Sequence, residues 1–169
     1  MGNSHSDYTI IRVTPTIVED SAYADGDVLF TATEIPNAVR GDAGCSKLIS
    51  AFMIDKRKQS FDCELYFCEA NTAFGTIDET ANISVANIEA AKVCCVLKKD
   101  DDQGENQDLD NIHINKIVGM DGSDDFGYPT LIQAAASSTS VFVTAVITNG
   151  TPTFTETDDI DIILHIQYR

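Results

Sequence analysis

Ser46–Cys68, SKLISAFMIDKRKQSFDCELYFC, constrains the fold more than any other stretch of the chain. Leu48, Ser50, Phe52 and Ile54 fall on one face of its first run, and Phe61, Cys63, Leu65 and Phe67 on one face of its second. Period-two alternation belongs to extended strands with one buried face, so two such runs commit the chain to sheet. Read locally, the stretch is a β-hairpin. Its tip, Asp55–Gln59, carries Lys56, Arg57 and Lys58, three of the chain's eleven cations, and must be solvated or docked on something acidic.

The remaining segments read as more sheet around this hairpin. Tyr8–Val18 is rich in β-branched residues, and Pro15, which has no N–H for a ladder, places that strand at an edge or bends it. Val28–Ala32, Val93–Leu97, Asn111–Gly119, Pro129–Ala135, Ser140–Thr148 and Asp158–Tyr168 read as further strands. The last alternates Ile160, Ile162, Leu164, Ile166 and Tyr168 on one face. Ile83–Lys92 reads as the one helix, with Ser84 or Asn82 to cap it. Asn149-Gly150 is a hairpin signal, lengthened by Thr151-Pro152. Glu19–Asp27, Asn71–Asn82, Lys98–Asp110 and Asp121–Tyr128 have loop chemistry, and the charged Lys98–Asp110 is expected not to pack. Eight or nine strands, one short helix and no fixed-period repeat predict an all-β, antiparallel β-sandwich, jelly-roll-like in outline. The expected organisation is a flexible N-terminal arm over residues 1–7 and a single β-sandwich domain over residues 8–169.

Charge narrows the partners. Twenty-seven acids against 11 bases give a net charge of −16 over 169 residues. Nucleic acid is not expected as a partner, because phosphate binding needs clustered Lys and Arg. The acidity suits a solvated, self-repelling surface, and equally one drawn to a basic partner. No apolar run approaches the ~20 residues that span a bilayer, so no membrane is expected either.

The start, MGNSHSD, is polar, and no secretory signal is expected. With five cysteines, an odd number, this predicts reduced thiols made in a cytosol. Cys63 falls on an apolar strand face, whereas Cys94 and Cys95, neighbours in an extended run, should point to opposite faces. Cys45 lies in a glycine-bearing loop and is the most plausible exposed thiol. In an oxidising medium, Cys45 and Cys68 are the candidates for an intersubunit disulfide.

No catalytic constellation, metal set or cofactor fingerprint emerges, so no enzyme and no cofactor are expected. His5 belongs to the arm; His113 and His165 fall on polar strand faces and read as solvated, without ligands at metal spacing. Asp100, Asp102 and Gly104 approach a calcium-loop start, but the glycine comes one position early and no closing Glu follows. Asp121, Ser123 and Asp125 could offer oxygens as a surface site. The absence of Trp weakens a glycan-binding reading, which the five tyrosines keep open.

The segments VTPTIVEDSAYADGDVLF, EIPNAVR, SKLISAFMIDKRKQSFDCELYF, IEAAKVCCV and GTPTFTETDDIDIILHIQYR, with Asn71–Phe74 between them, resemble a group of small structural proteins of tailed bacteriophages. The resemblance spans most of the chain but rests on structural rather than catalytic motifs. It implies a virion protein, a capsid decoration (cement) protein on the capsid surface, made in the host cytoplasm. Its implied partners are the major capsid protein and itself, as a homotrimer; head-fibre, tail or receptor/glycan-binding attachment roles are the alternatives on the same fold. Lys56, Arg57 and Lys58 are the candidate contact with the capsid or a neighbouring subunit. The five cysteines and the KKDDDQGENQDLD insertion depart from the pattern.

Overall fold

The alternating runs do form strands, but they do not pair in the order their spacing suggests. The computed structural model describes residues 7–101, 107–119 and 130–169. These contain β1 (Tyr8–Val13), β2 (Val28–Ile35), β3 (Cys45–Asp55), β4 (Phe61–Cys68), α1 (Val85–Ala91), β5 (Val93–Lys99), β6 (Gln107–Asp108), β7 (His113–Gly119), β8 (Thr130–Gln133), β9 (Val141–Gly150) and β10 (Ile160–Tyr168). All their ladders are antiparallel, in one curled sheet ordered β1-β10-β3-β7-β5-β4-β9-β2, with β6 on β7 and β8 on β3. The fold is all-β and sandwich-like, with ten strands among the described residues where eight or nine were expected.

Curling brings the half β1-β10-β3-β7 over the half β5-β4-β9-β2, and a single core fills the space between them. Leu48, Ala51, Met53, Ile162, Leu164 and Ile166 meet Phe30, Leu65, Phe67, Val143 and Ala145 there. β1 and β2, the two edges, approach each other. Pro15 lies beyond the end of β1, consistent with the expected edge position and with its missing donor. A second, smaller cluster forms outside β4, where Cys68, Phe74 and Ala91 pack with Val28 beneath α1. Ser84 caps α1, its side-chain oxygen accepting from the Asn87 N–H at 3.1 Å.

Two expectations fail for one reason. β3 and β4 are not a hairpin: β3 pairs with β10, β7 and β8, and β4 with β5 and β9. β9 and β10 are not one either, despite Asn149-Gly150. Each connection is an arch that carries the chain from one half of the sheet to the other. The alternation in β3 also breaks, because a bulge opposite His165/Ile166 leaves Ile49 unpaired. Leu48 is inward, but beyond the bulge Ala51, Met53 and Asp55 turn inward while Ser50, Phe52 and Ile54 face out. β4 keeps its expected face, with Phe61, Cys63, Leu65 and Phe67 all buried.

Lys98–Asp110 is not wholly a loop. Lys98 and Lys99 complete β5, and Lys99 is fully buried. No helix among the described residues is long and apolar enough to cross a membrane.

Candidate functional site

The basic tip of Ser46–Cys68 lies against the chain's own acidic arch. Asp55 orders the first arch, its two carboxylate oxygens accepting from the N–H of Arg57 at 2.8 Å and of Gln59 at 2.5 Å. Asp159 orders the second in the same way, accepting from Thr155 N–H at 3.0 Å and Glu156 N–H at 2.9 Å. Asp and Asn side chains organise tight turns by this kind of local bond. The same Asp159 oxygen also receives Arg57 Nε at 2.8 Å, so the arches lock together. Lys56 adds its N–H to the Asp159 carbonyl at 2.9 Å and its ammonium to the Asp158 carbonyl at 2.5 Å. Lys58 reaches Asp108 at 2.5 Å. All three candidate contact cations therefore hold acidic partners within the chain, while about a third of each side chain still meets solvent.

An aromatic stack supports the arches from below. The Phe154 ring meets Tyr23 and Phe61 edge-on, each at 5.9 Å between centroids. Tyr23 is fully buried, its hydroxyl accepting from Val18 N–H at 2.8 Å and donating to the Leu29 carbonyl at 3.1 Å. Burial pushes this phenol up to about 12. The AYADGD loop thus folds around a tyrosine that belongs to the core, and Asp27 closes it by accepting from Ala24 N–H at 2.7 Å.

Beside the stack lies a buried polar group. Lys99 donates to the Phe61 carbonyl and to Asp101 at 3.1 Å, with its ammonium 3.9 Å from the Phe61 ring centre. Asp55 shares this interior, and burial raises its carboxyl although the Arg57 and Gln59 N–H groups pull the other way. For Asp159 the balance falls on the other side: burial opposes ionisation, but Arg57 and the two N–H groups hold the carboxyl below its usual range. Asn115 is wholly buried, and neither of its side-chain polar atoms has a hydrogen-bond partner among the described residues. His113 is not the solvated strand histidine that the alternation predicts. Its ring is largely covered, its Nδ1 is buried with no partner among the described residues, and its Nε2 lies 3.6 Å from Asp108. His165 shares a 2.8 Å hydrogen bond with the Ser50 hydroxyl.

The cysteines are free thiols. Cys63 is core, with its thiol pushed up to about 12 by burial. Cys95 packs against the core and Cys94 faces the other way, as the alternation requires. Cys45 and Cys94 line an open cleft of about 290 Å³ with Glu69, Lys92 and Gln133. Cys68 is 2% exposed inside the smaller cluster and its thiol is raised to about 12 by burial, so a bridge to another chain from Cys68 would require that cluster to open.

No three metal-binding side chains converge among the described residues. Asp102 and Gly104 of one calcium-like loop, and Asp121, Ser123 and Asp125 of the other, lie outside the described residues, as do residues 1–6 of the arm. Asp100 has an interaction partner, and Asp101 is held by Lys99, Ser60 and the Asp62 carboxylate, to which its N–H donates at 2.7 Å.

The surface feature that period-two reasoning missed is an apolar patch around Tyr8, Ile10 and Ile49, which line an open groove of about 410 Å³ with Thr9, His165 and Ile166. Its signal in the sequence was the pair Tyr8 and Ile10 on the face of β1 that the core does not use. No protein-family model and no curated protein matches the chain.

Proposed function

We propose that the chain is a structural virion protein, a capsid decoration protein that binds the outer surface of a major capsid protein lattice and stabilises the head. The observation that carries this reading is the apolar groove at Tyr8, Ile10 and Ile49 on a chain of net −16. Contiguous apolar surface on a strongly charged protein is a mark of contact with another protein. A locked β frame with such a face suits attachment, which needs buried interface rather than reacting groups. Binding only the assembled shell would stabilise that shell by mass action.

The test is addition to purified capsids that lack the protein. Saturable occupancy, with capsids that survive heating better, supports the reading; no binding to expanded or unexpanded shells overturns it. Replacing Lys56, Arg57 and Lys58 together would also unlock the arches, since Arg57 holds Asp159. Lys58→Ser removes one partly exposed ion pair only and is the cleaner probe of a basic docking tip. Unchanged occupancy in that variant excludes Lys58 as a contact.

A further inference from the structure

Three polar side chains are sealed in the core beneath the first arch. Lys99, Asn115 and Asp55 are each 0% exposed. The ladders fix their order. Lys99 stands directly opposite Cys63 of β4 and Ile117 of β7, so Phe61 and Asn115, each two residues before those partners, are its diagonal neighbours at the same end. Diagonal neighbours on one face lie ~7–8 Å apart, within reach of a long side chain. The Lys99 stem already runs to this end, where its ammonium donates to the Phe61 carbonyl and to Asp101 at 3.1 Å. Asp55 approaches from the other flank: Met53 stands opposite Asn115, and Asp55 opposite His113. In the register, Asn115 thus stands between a primary amine on β5 and a carboxyl on β3.

The surroundings favour reaction between them. Neither polar atom of the Asn115 amide has a hydrogen-bond partner among the described residues, a costly condition for a buried amide. Met53, Phe61, Cys63 and Ile117 belong to the core, with the Phe61 ring 3.9 Å from the ammonium, so the site is dry. Burial disfavours the charged form of both an amine and a carboxyl, and it raises the Asp55 carboxyl although the Lys99 charge pulls the other way.

We propose that Lys99 and Asn115 become joined by an isopeptide bond, with Asp55 carrying the proton. Asp55 takes a proton from the Lys99 ammonium, which leaves a free amine and a neutral carboxyl. The amine swings from the Phe61 carbonyl to its other diagonal neighbour, and Nζ attacks Cγ of Asn115. Asp55 gives its proton to the departing amide nitrogen, which leaves as ammonia, and takes one back from Nζ. The Nζ–Cγ bond forms, the Cγ–Nδ2 bond breaks, and no oxidant or external reagent is consumed. Neighbours pre-set in a dry site supply both the approach and the proton transfer. The product closes a covalent ring through residues 99–115 and ties β5 to β7, where their ladder is only Leu97–Lys99 on Ile117–Gly119. It also removes a buried charge. Nothing in it depends on the decoration reading.

The intact mass of the folded full chain tests the bond. The wild type should be lighter than its sequence mass by one ammonia, and proteolysis should release a branched peptide joining Lys99 to Asn115. Lys99→Met and Asn115→Leu should each restore the sequence mass, whereas Lys98→Met, on the opposite strand face, should keep the loss. In chain newly made by cell-free synthesis, Asp55→Asn should slow the loss of ammonia roughly 100-fold or more. Should the core variants fail to fold, the branched peptide of the wild type decides the question alone.

A wild type at its sequence mass overturns the proposal. So does an ammonia loss that survives in Asn115→Leu, or one that maps to a cyclised Asn149-Gly150, another route to the same mass change. An Asp55→Asn chain that reacts at the wild-type rate overturns the role given to Asp55.

Discussion

Asp159 accepts three hydrogen bonds with one oxygen, from the Arg57 guanidinium and from the Thr155 and Glu156 N–H groups of the turn, all within 3.0 Å. It is 2% exposed, so removing the carboxylate strands the two turn N–H groups as well as the guanidinium. Asp159→Ala should cost about 2 kcal/mol in chemical denaturation, the size of a lost buried cap. Because its native carboxyl lies below the usual range, its stabilisation is complete above the unfolded pKa and is lost as pH falls through the native one. The acid limb of the stability profile should therefore be shallower in Asp159→Ala than in the wild type; parallel limbs would show that Arg57 contributes no charge-specific stabilisation. Asp55 has the opposite sign. Burial raises its native carboxyl, so the folded state binds the extra proton and stability falls as pH rises from the unfolded pKa through the native one. Asn at this position keeps one acceptor for the arch N–H groups and removes the buried charge. The advantage of wild type over Asp55→Asn should shrink as pH is raised from about 4 to 7, measured by denaturant midpoint.

At the scale of elements, the second arch depends on a residue without a side chain. Gly150 has a φ of +94°, and a Cβ there would lie 2.7 Å from the Ser60 carbonyl oxygen. Both the left-handed backbone and the close approach of the first arch penalise any other residue. Gly150→Ala should cost more than the ~1 kcal/mol of backbone strain alone, and thermal denaturation should show it. A change below that figure would mean that the arches can separate without loss. The same position shows why the strands were legible and their partners were not. Alternation in Phe61–Cys68 and Ile160–Tyr168 reports which side chains are buried, and it located both strands correctly. It says nothing about whether the next strand returns beside its predecessor or crosses to the facing half. A charged five-residue tip and an Asn-Gly pair suit both a hairpin and an arch. The inward face of β3 departs from the alternation because one unpaired residue at Ile49 reverses the parity of everything after it. Lys99 is buried although a lysine in a run of Lys and Asp carries no local sign of burial. Its partners, Phe61 and Asp101, come from another strand and from the turn beyond its own.

Over the whole molecule, two electrostatic effects of opposite sign compete. Twenty-seven acids on 11 bases create self-repulsion that spreads over many pairs. Against it stand local attractions such as Arg57–Asp159 and Lys58–Asp108, whose cations remain partly exposed, a class of ion pair that solvent and salt weaken. Salt screens both, but distant repulsions are lost first because the screening length falls from about 30 Å at 0.01 M to about 10 Å at 0.1 M. The carboxylates at tens of ångströms outnumber the close pairs, so repulsion is the term salt removes. Raising NaCl over that range should increase the melting temperature by a few degrees, and a decrease would show that the arch ion pairs outweigh the net charge.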